Sequence, residues 1–121
     1  GYKVYWEDGA QITPPHDTGI MSEVKAVADY SACKTMDKEK AIADGLYIQI
    51  GANVDDPYIA ELKKQVKNQK CIDEMQKDIK IVYTPLHGTG NIPVRRVLKE
   101  LGFENVYVVK EQELPDGNSQ Q

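Results

Sequence analysis

The sequence predicts an α/β fold, a three-layer α/β/α arrangement around a mixed sheet, and three observations carry that expectation. Residues 79–109 read as strand, loop, helix, strand, a unit whose two strands run parallel with a right-handed crossover. Residues 2–6 and 11–13 flank Asp8-Gly9 and read as an antiparallel hairpin, which makes the sheet mixed. Between these two regions, apolar residues recur at helical spacing on otherwise polar segments.

Each element has a local reason. Pro14-Pro15 ends the hairpin, and Asp17 is placed to cap a helix whose Ile20, Val24, Val27 and Ala28 form one stripe as far as about Asp29. Residues 30–45 lose that pattern and read as a linker with a short helix over 38–43. Leu46, Ile48 and Ile50 alternate with polar neighbours up to Gly51, the period of a half-buried strand. Asp56 suits a helix cap and Pro57 the first helical position, with Ile59, Leu62 and Val66 on one face. Residues 72–78 read as a short third helix. Residues 79–84 form a strand, 85–91 a glycine-containing loop, and 93–101 a helix with Val94, Val97, Leu98 and Leu101 aligned; Gly102 closes that helix before the strand 106–109.

Composition sets the limits. The chain has 121 residues, with 15 basic and 19 acidic side chains and a net charge of −4, which argues against a basic nucleic-acid-binding module. Hydrophobic residues at 40% and charged residues at 28% fit one modest core rather than a disordered chain or two full domains. No apolar run is long enough to span a membrane. The chain opens on Gly1 with no signal-peptide pattern, and a true N-terminus is expected to lie upstream. Cys33 and Cys71 stand alone and read as two buried free thiols in a cytoplasmic protein, with one disulfide left open.

The candidate chemistry concentrates in Thr84-Pro85-Leu86-His87-Gly88-Thr89-Gly90-Asn91, which joins a strand to a helix N-terminus. Free backbone N–H groups and the helix dipole there favour an anion such as a sugar phosphate, glycines let the backbone approach a ligand, and His87 can donate a hydrogen bond or a proton. The plainer reading is a tight turn whose glycines serve only geometry. The loop matches neither G-x-G-x-x-G nor G-x-x-x-x-G-K-[ST], which disfavours a Rossmann-type nucleotide domain. Lys3, within a strand, reads as an edge lysine in water, although a lysine lining a cleft can pair with phosphate or transfer a proton. His16-Asp17 and Asp55-Asp56 lack the partners of a metal centre and read as helix starts, and no residue is assigned as a metal ligand. Lys63, Lys64, Lys67, Lys70 and Lys77 interleave with acids as solvated helix faces.

Two regions of the chain, its opening and its second half, together resemble the phosphohexomutases, the α-D-phosphoglucomutase and phosphomannomutase superfamily, and in particular its bacterial phosphoglucomutases. Gly1-Tyr2-Lys3-Val4-Tyr5-Trp6 is similar to the N-G-Y-K-V-Y segment that follows the family's T-A-S-H-N-P phosphoserine loop. Ile81-Val82-Tyr83-Thr84-Pro85-Leu86-His87-Gly88-Thr89-Gly90 and Glu113-Leu114-Pro115-Asp116-Gly117-Asn118 are similar to the start and middle of the family's second domain, and Asp55-Asp56-Pro57-Tyr58-Ile59 also fits.

The resemblance implies that residues 1–35 are the C-terminal part of the family's domain I and residues 36–121 the N-terminal part of domain II. It implies hexose phosphates as substrates, interconverted between the 1- and 6-phosphates through a phosphoserine and a glucose 1,6-bisphosphate intermediate, with Mg2+ beside the serine. The family lysine after N-G-Y acts in proton transfer near that serine, a role that maps onto Lys3 and reverses the plain reading of that residue. His87, Gly88, Thr89 and Gly90 become supporting residues of the same cleft. The family continues P-D-G-N-F-P and later reaches a D-x-D-x-D-R magnesium loop, whereas this chain reads Pro115-Asp116-Gly117-Asn118-Ser119-Gln120-Gln121. The magnesium ligands are therefore expected outside this chain, and the chain alone is expected to be inactive. Its open sheet edges also suit a strand-exchanged homodimer. The alternative from another class is a noncatalytic anion- or phosphate-binding α/β module built on residues 79–109.

Overall fold

The computed structural model describes residues 2–118 in two compact units that divide between Ile48 and Gln49. Gly1, the first residue of the N-terminal motif, and residues 119–121 lie outside the described residues. The expected boundary near residue 35 concerns family domains, whereas the compact units divide further along the chain.

In the first unit the turn at residues 7–10 forms as the Asp-Gly pair dictates. Gly9 takes a φ of +78°, Trp6 N–H donates to the Ala10 carbonyl, and Ala10 N–H donates to Asp8 Oδ1. The two flanking strands do not develop: they make one antiparallel bridge, Tyr5 with Gln11, supported by an Ile12 N–H bond to the Val4 carbonyl. The Trp6 ring stacks on His16 with centroids 4.3 Å apart. Helix α1, His16–Ala26, begins one turn position earlier than its expected cap. Pro15 stands at the cap position, and Asp17 sits within the first turn, where its charge favours the helix dipole and its Oδ1 accepts from Thr18 N–H. A 3-10 turn at Tyr30–Ala32 is capped by Asp29, whose carboxyl is held below its ordinary value of 3.8 by hydrogen bonds from the backbone and side chain of Ser31. Helix α2, Lys38–Ala43, has the expected bounds, with Asp37 accepting from Lys40 N–H.

The strand expected over 46–50 does not form, for a specific reason. The N–H groups of Leu46 and Tyr47 both donate to the Ala41 carbonyl as the chain wraps off α2, so they are unavailable to a ladder. Leu46, Ile48 and Ile50 are exposed, and among the described residues of the first unit no side chain is buried; Cys33 there and Cys71 in the second unit are exposed free thiols rather than the buried ones expected, because so little of the chain forms a core.

The second unit holds the α/β part. Helix α3 spans Ala52–Lys64, starting well before Pro57 with Gly51 at the cap position. Pro57 lies inside the helix and leaves the Asn53 carbonyl without its helical donor, and Asp56 is an ion-pair partner rather than a cap. Helix α4, Gln69–Met75, also begins earlier than expected because the Asn68 side chain accepts from Cys71 N–H. Strand β1, Lys80–Tyr83, helix α5, Asn91–Glu100, and strand β2, Asn105–Val108, form the strand-helix-strand unit. The strands pair in parallel, Lys80 opposite Asn105 through Tyr83 opposite Val108, as the sequence requires. Gly102, at φ +96°, closes α5; a side chain there would meet Gln76.

This two-stranded parallel sheet is the one sheet among the described residues, so the α/β class stands while the antiparallel share of the mixed sheet is reduced to the single Tyr5–Gln11 bridge. Ile81, Tyr83, Val106 and Val108 are half-buried and Val82 and Tyr107 exposed, the alternation of a strand pair covered on one face. Helices α3 and α5 pack together around Ile59, which is 2% exposed and gains roughly 1.5–3 kcal/mol from leaving water. Arg96 on α5 ties the pair from outside, bonding Asp56 at 2.7 Å and Glu100 at 2.7 Å, while Lys63 reaches Glu100 at 3.4 Å.

The Arg96 hydrogen bond, with Lys63 adding to it, holds the Glu100 carboxyl below its ordinary value of 4.5, although burial works the other way. A carboxylate depressed in the folded state stabilises it above the unfolded value and loses that contribution as pH falls through the folded one. Glu100→Gln removes the contribution. Urea denaturation at about pH 6 and about pH 3 should therefore show a smaller acid-induced loss of stability in the variant than in the wild type. Equal losses would show that the ion pair does not couple to folding.

Candidate functional site

The loop after β1 is built on a reverse turn of unusual composition. Pro85 is buried, Gly88 N–H donates to the Pro85 carbonyl at 2.9 Å, and the two central residues, Leu86 at φ +52° and His87 at φ +58°, are both left-handed. Positive φ at both centres is the type I′ pattern, ordinarily filled by Asn and Gly, and an L side chain costs about 1–2 kcal/mol at each such position. The sequence assigns the loop's glycines to close backbone approach or to turn geometry, and the left-handed positions fall elsewhere, on Leu86 and His87. Gly88 and Gly90 are not left-handed but closely approached: a Cβ on Gly88 would lie 3.0 Å from the Pro85 carbonyl, and one on Gly90 would lie 2.8 Å from the Tyr83 hydroxyl.

What holds Leu86 and His87 in place is the segment that follows β2. Val109 N–H donates to the Tyr83 carbonyl, continuing the sheet, and the chain then turns through a 3-10 turn at Lys110–Gln112. His87 N–H donates to the Gln112 carbonyl at 2.8 Å, Leu86 N–H reaches the Gln112 side-chain oxygen at 3.4 Å, and His87 Nδ1 lies 2.7 Å from the Leu114 carbonyl. From the far side, Asn91 Nδ2 donates to the Glu113 carbonyl at 3.0 Å, and Arg95 bonds both the Glu113 carboxylate and, at 3.3 Å, Asn91 Oδ1. Together these bonds, each worth about 1 kcal/mol net, are comparable to the cost of the left-handed pair.

The structure thus brings His87, Gly88, Thr89 and Gly90 into one braced loop at the carboxyl end of β1, where α/β sheets place their ligands. A hollow lined by Asp55, Tyr58, Ile59, Thr89, Pro93 and Arg96 opens beside it. Lys3 belongs to the first unit. It is exposed, makes no hydrogen bond or ion pair among the described residues, and lines a groove with Val4, Gln11, Ile12, Asp17 and Ile20. Gln112, Glu113, Leu114 and Arg95 had no functional reading in the sequence; their part rests on contacts to residues 18 to 27 positions away. Among the described residues no group of three His, Cys, Asp or Glu side chains can hold a metal ion, so the magnesium that the resemblance implies finds no fitting donor set here. Among the described residues no helix is long and apolar enough to cross a membrane.

A family model described as phosphoglucomutase/phosphomannomutase, alpha/beta/alpha domain II, matches residues 56–120, a span that contains the braced loop. Among curated proteins, a phosphopentomutase from Homo sapiens is 31% identical over 116 residues, covering 96% of this chain and 18% of the relative. A glucose 1,6-bisphosphate synthase from Homo sapiens is 32% identical over 120 residues, again 96% and 18%. A phosphoglucomutase from Staphylococcus haemolyticus is 31% identical over 110 residues, covering 91% of this chain and 19% of the relative. The chain spans under a fifth of the length of these relatives. No solved structure matches it.

The close approach at Gly90 has a direct test. Gly90→Ala should destabilise the second unit by about 1–3 kcal/mol through overpacking against Tyr83. Tyr83→Phe, which withdraws the hydroxyl, should recover part of that loss in a double-mutant cycle read by urea denaturation. Additive effects would show that Tyr83 does not constrain Gly90.

Proposed function

The chain belongs to the phosphoglucomutase/phosphomannomutase family, and from that membership we propose that it supplies part of the sugar-phosphate cleft of a cytoplasmic phosphohexomutase. The observation that carries the proposal is the braced His87–Gly90 loop, which lies at the carboxyl end of β1 inside the matched region. A loop held this firmly before any ligand arrives loses little entropy on binding one.

In the proposed reaction a phosphoserine passes its phosphoryl group to the free hydroxyl of a hexose phosphate, and the hydroxyl proton leaves to a base. The resulting 1,6-bisphosphate reorients, the serine oxygen takes back the other phosphoryl group, and the proton returns to the sugar oxygen. Lys3 is proposed as a proton-handling group in this exchange; its match to the family lysine after N-G-Y and its place in the lining of a groove support that reading. The phosphoserine, the magnesium ligands and the remaining phosphate contacts are assigned to the rest of the enzyme, so the 121-residue chain by itself is proposed to be inactive. The unpaired edges of β1 and β2 among the described residues support strand exchange between two copies when the chain is isolated. A pentose phosphate is the second substrate reading, favoured by the name of the phosphopentomutase relatives.

Turnover of glucose 1-phosphate and of a pentose 1-phosphate by the full-length protein decides between the two substrates. In that protein Lys3→Ala should lower kcat by about 10²-fold or more with the preferred sugar while leaving the thermal unfolding midpoint unchanged. An unaltered kcat would remove Lys3 from the mechanism. Turnover of neither sugar by the full-length protein would overturn the mutase reading in favour of a noncatalytic phosphate-binding module.

A further inference from the structure

The bond between His87 Nδ1 and the Leu114 carbonyl decides which ring nitrogen is free. A carbonyl oxygen only accepts, so Nδ1 carries a proton in every protonation state of this histidine, and in the neutral ring the lone pair is left on Nε2. That is the reverse of the tautomer that an unconstrained imidazole favours. Nε2 makes no hydrogen bond among the described residues, and the ring is only partly buried. The orientation is fixed twice over: His87 N–H is bonded to Gln112, and the segment carrying Leu114 is itself secured by Asn91 and Arg95 on α5.

We propose that His87 is a sugar-hydroxyl acceptor whose Nε2 lone pair is aimed by the backbone of residues 112–114. The ligand class is a sugar phosphate recognised through a hydroxyl rather than through its phosphate, since a neutral imidazole with Nε2 unprotonated accepts from O–H and offers an anion nothing at that nitrogen. This inference rests on the sugar-phosphate reading of the site. Leu114 acts through its carbonyl, and Asn91 is a positioning residue that holds the strap without touching ligand.

Two-bond 1H–15N correlation spectra of the 121-residue chain, taken at a pH where His87 is neutral, read the tautomer without any ligand. The account requires Nδ1 to resonate as a protonated nitrogen and Nε2 as an unprotonated one; the opposite pattern, or the average of a mixture, overturns it. Adding glucose 1-phosphate should then shift the Nε2 resonance, and inorganic phosphate at the same concentration should not. Equal shifts from both, or none from the sugar phosphate, overturn hydroxyl recognition.

His87→Asn provides the second variant, because its amide keeps a donor for the Leu114 carbonyl and tolerates left-handed backbone while it removes Nε2. It should stay folded and bind glucose 1-phosphate roughly tenfold more weakly. Asn91→Ala should turn the single tautomer into a mixture while the circular dichroism spectrum shows the chain still folded; a single unchanged tautomer would remove Asn91 from the positioning of the ring. Failure of the mutase reading registers separately, in the turnover of the full-length protein.

Discussion

Two non-glycine residues in left-handed backbone, Leu86 and His87, are the constraint around which the second unit is organised. A turn of this kind does not persist on its own propensities, because Leu and His are poor residues for it. It persists because the chain returns 25 to 27 residues later and bonds to it through Gln112 and Leu114, while Glu113 between them bonds Asn91 on α5. The same return is possible only because β2 pairs with β1 in parallel, which delivers residue 109 beside Tyr83 and starts the strap at the mouth of the loop. Sheet register, crossover helix and loop conformation are therefore one interdependent arrangement.

That arrangement sits in a unit with very little hydrophobic interior. Ile59 and Pro85 are the buried side chains among the described residues, the first between α3 and α5 and the second at the root of the loop. With so little core, order near the loop depends on hydrogen bonds and on the Arg95–Glu113 pair more than it does in a larger domain. The histidine benefits from this: a ring bonded through both its backbone N–H and its Nδ1 has one nitrogen free and little freedom to choose another orientation.

The sequence made the strand-helix-strand unit legible because its signals are local and agree with one another. The apolar face of α5, the Gly102 stop and the short apolar strands all point to the same elements. The short helix at Lys38–Ala43 was legible for the same reason. What was illegible was decided by competition for backbone donors or by distant partners. The alternation at Leu46, Ile48 and Ile50 is a genuine strand pattern, but Ala41 takes the N–H groups that a strand would use. Asp17 and Asp56 have the composition of caps, yet α1 and α3 start upstream of them, and Asp56 serves Arg96 instead. In the loop, the family motif marked His87–Gly90 as the place to look. No short-range rule indicates that the left-handed positions fall on Leu86 and His87, since that follows from bonds to residues 112 and 114.

Amide hydrogen exchange across the loop tests the central claim, that the strap holds the turn in the free chain. The account predicts that the His87 amide, bonded to the Gln112 carbonyl at 2.8 Å, exchanges at least about tenfold more slowly than that of Thr89, which makes no hydrogen bond among the described residues. Equal, fast exchange at the two positions would show that the turn is not braced and would contradict the account of the site.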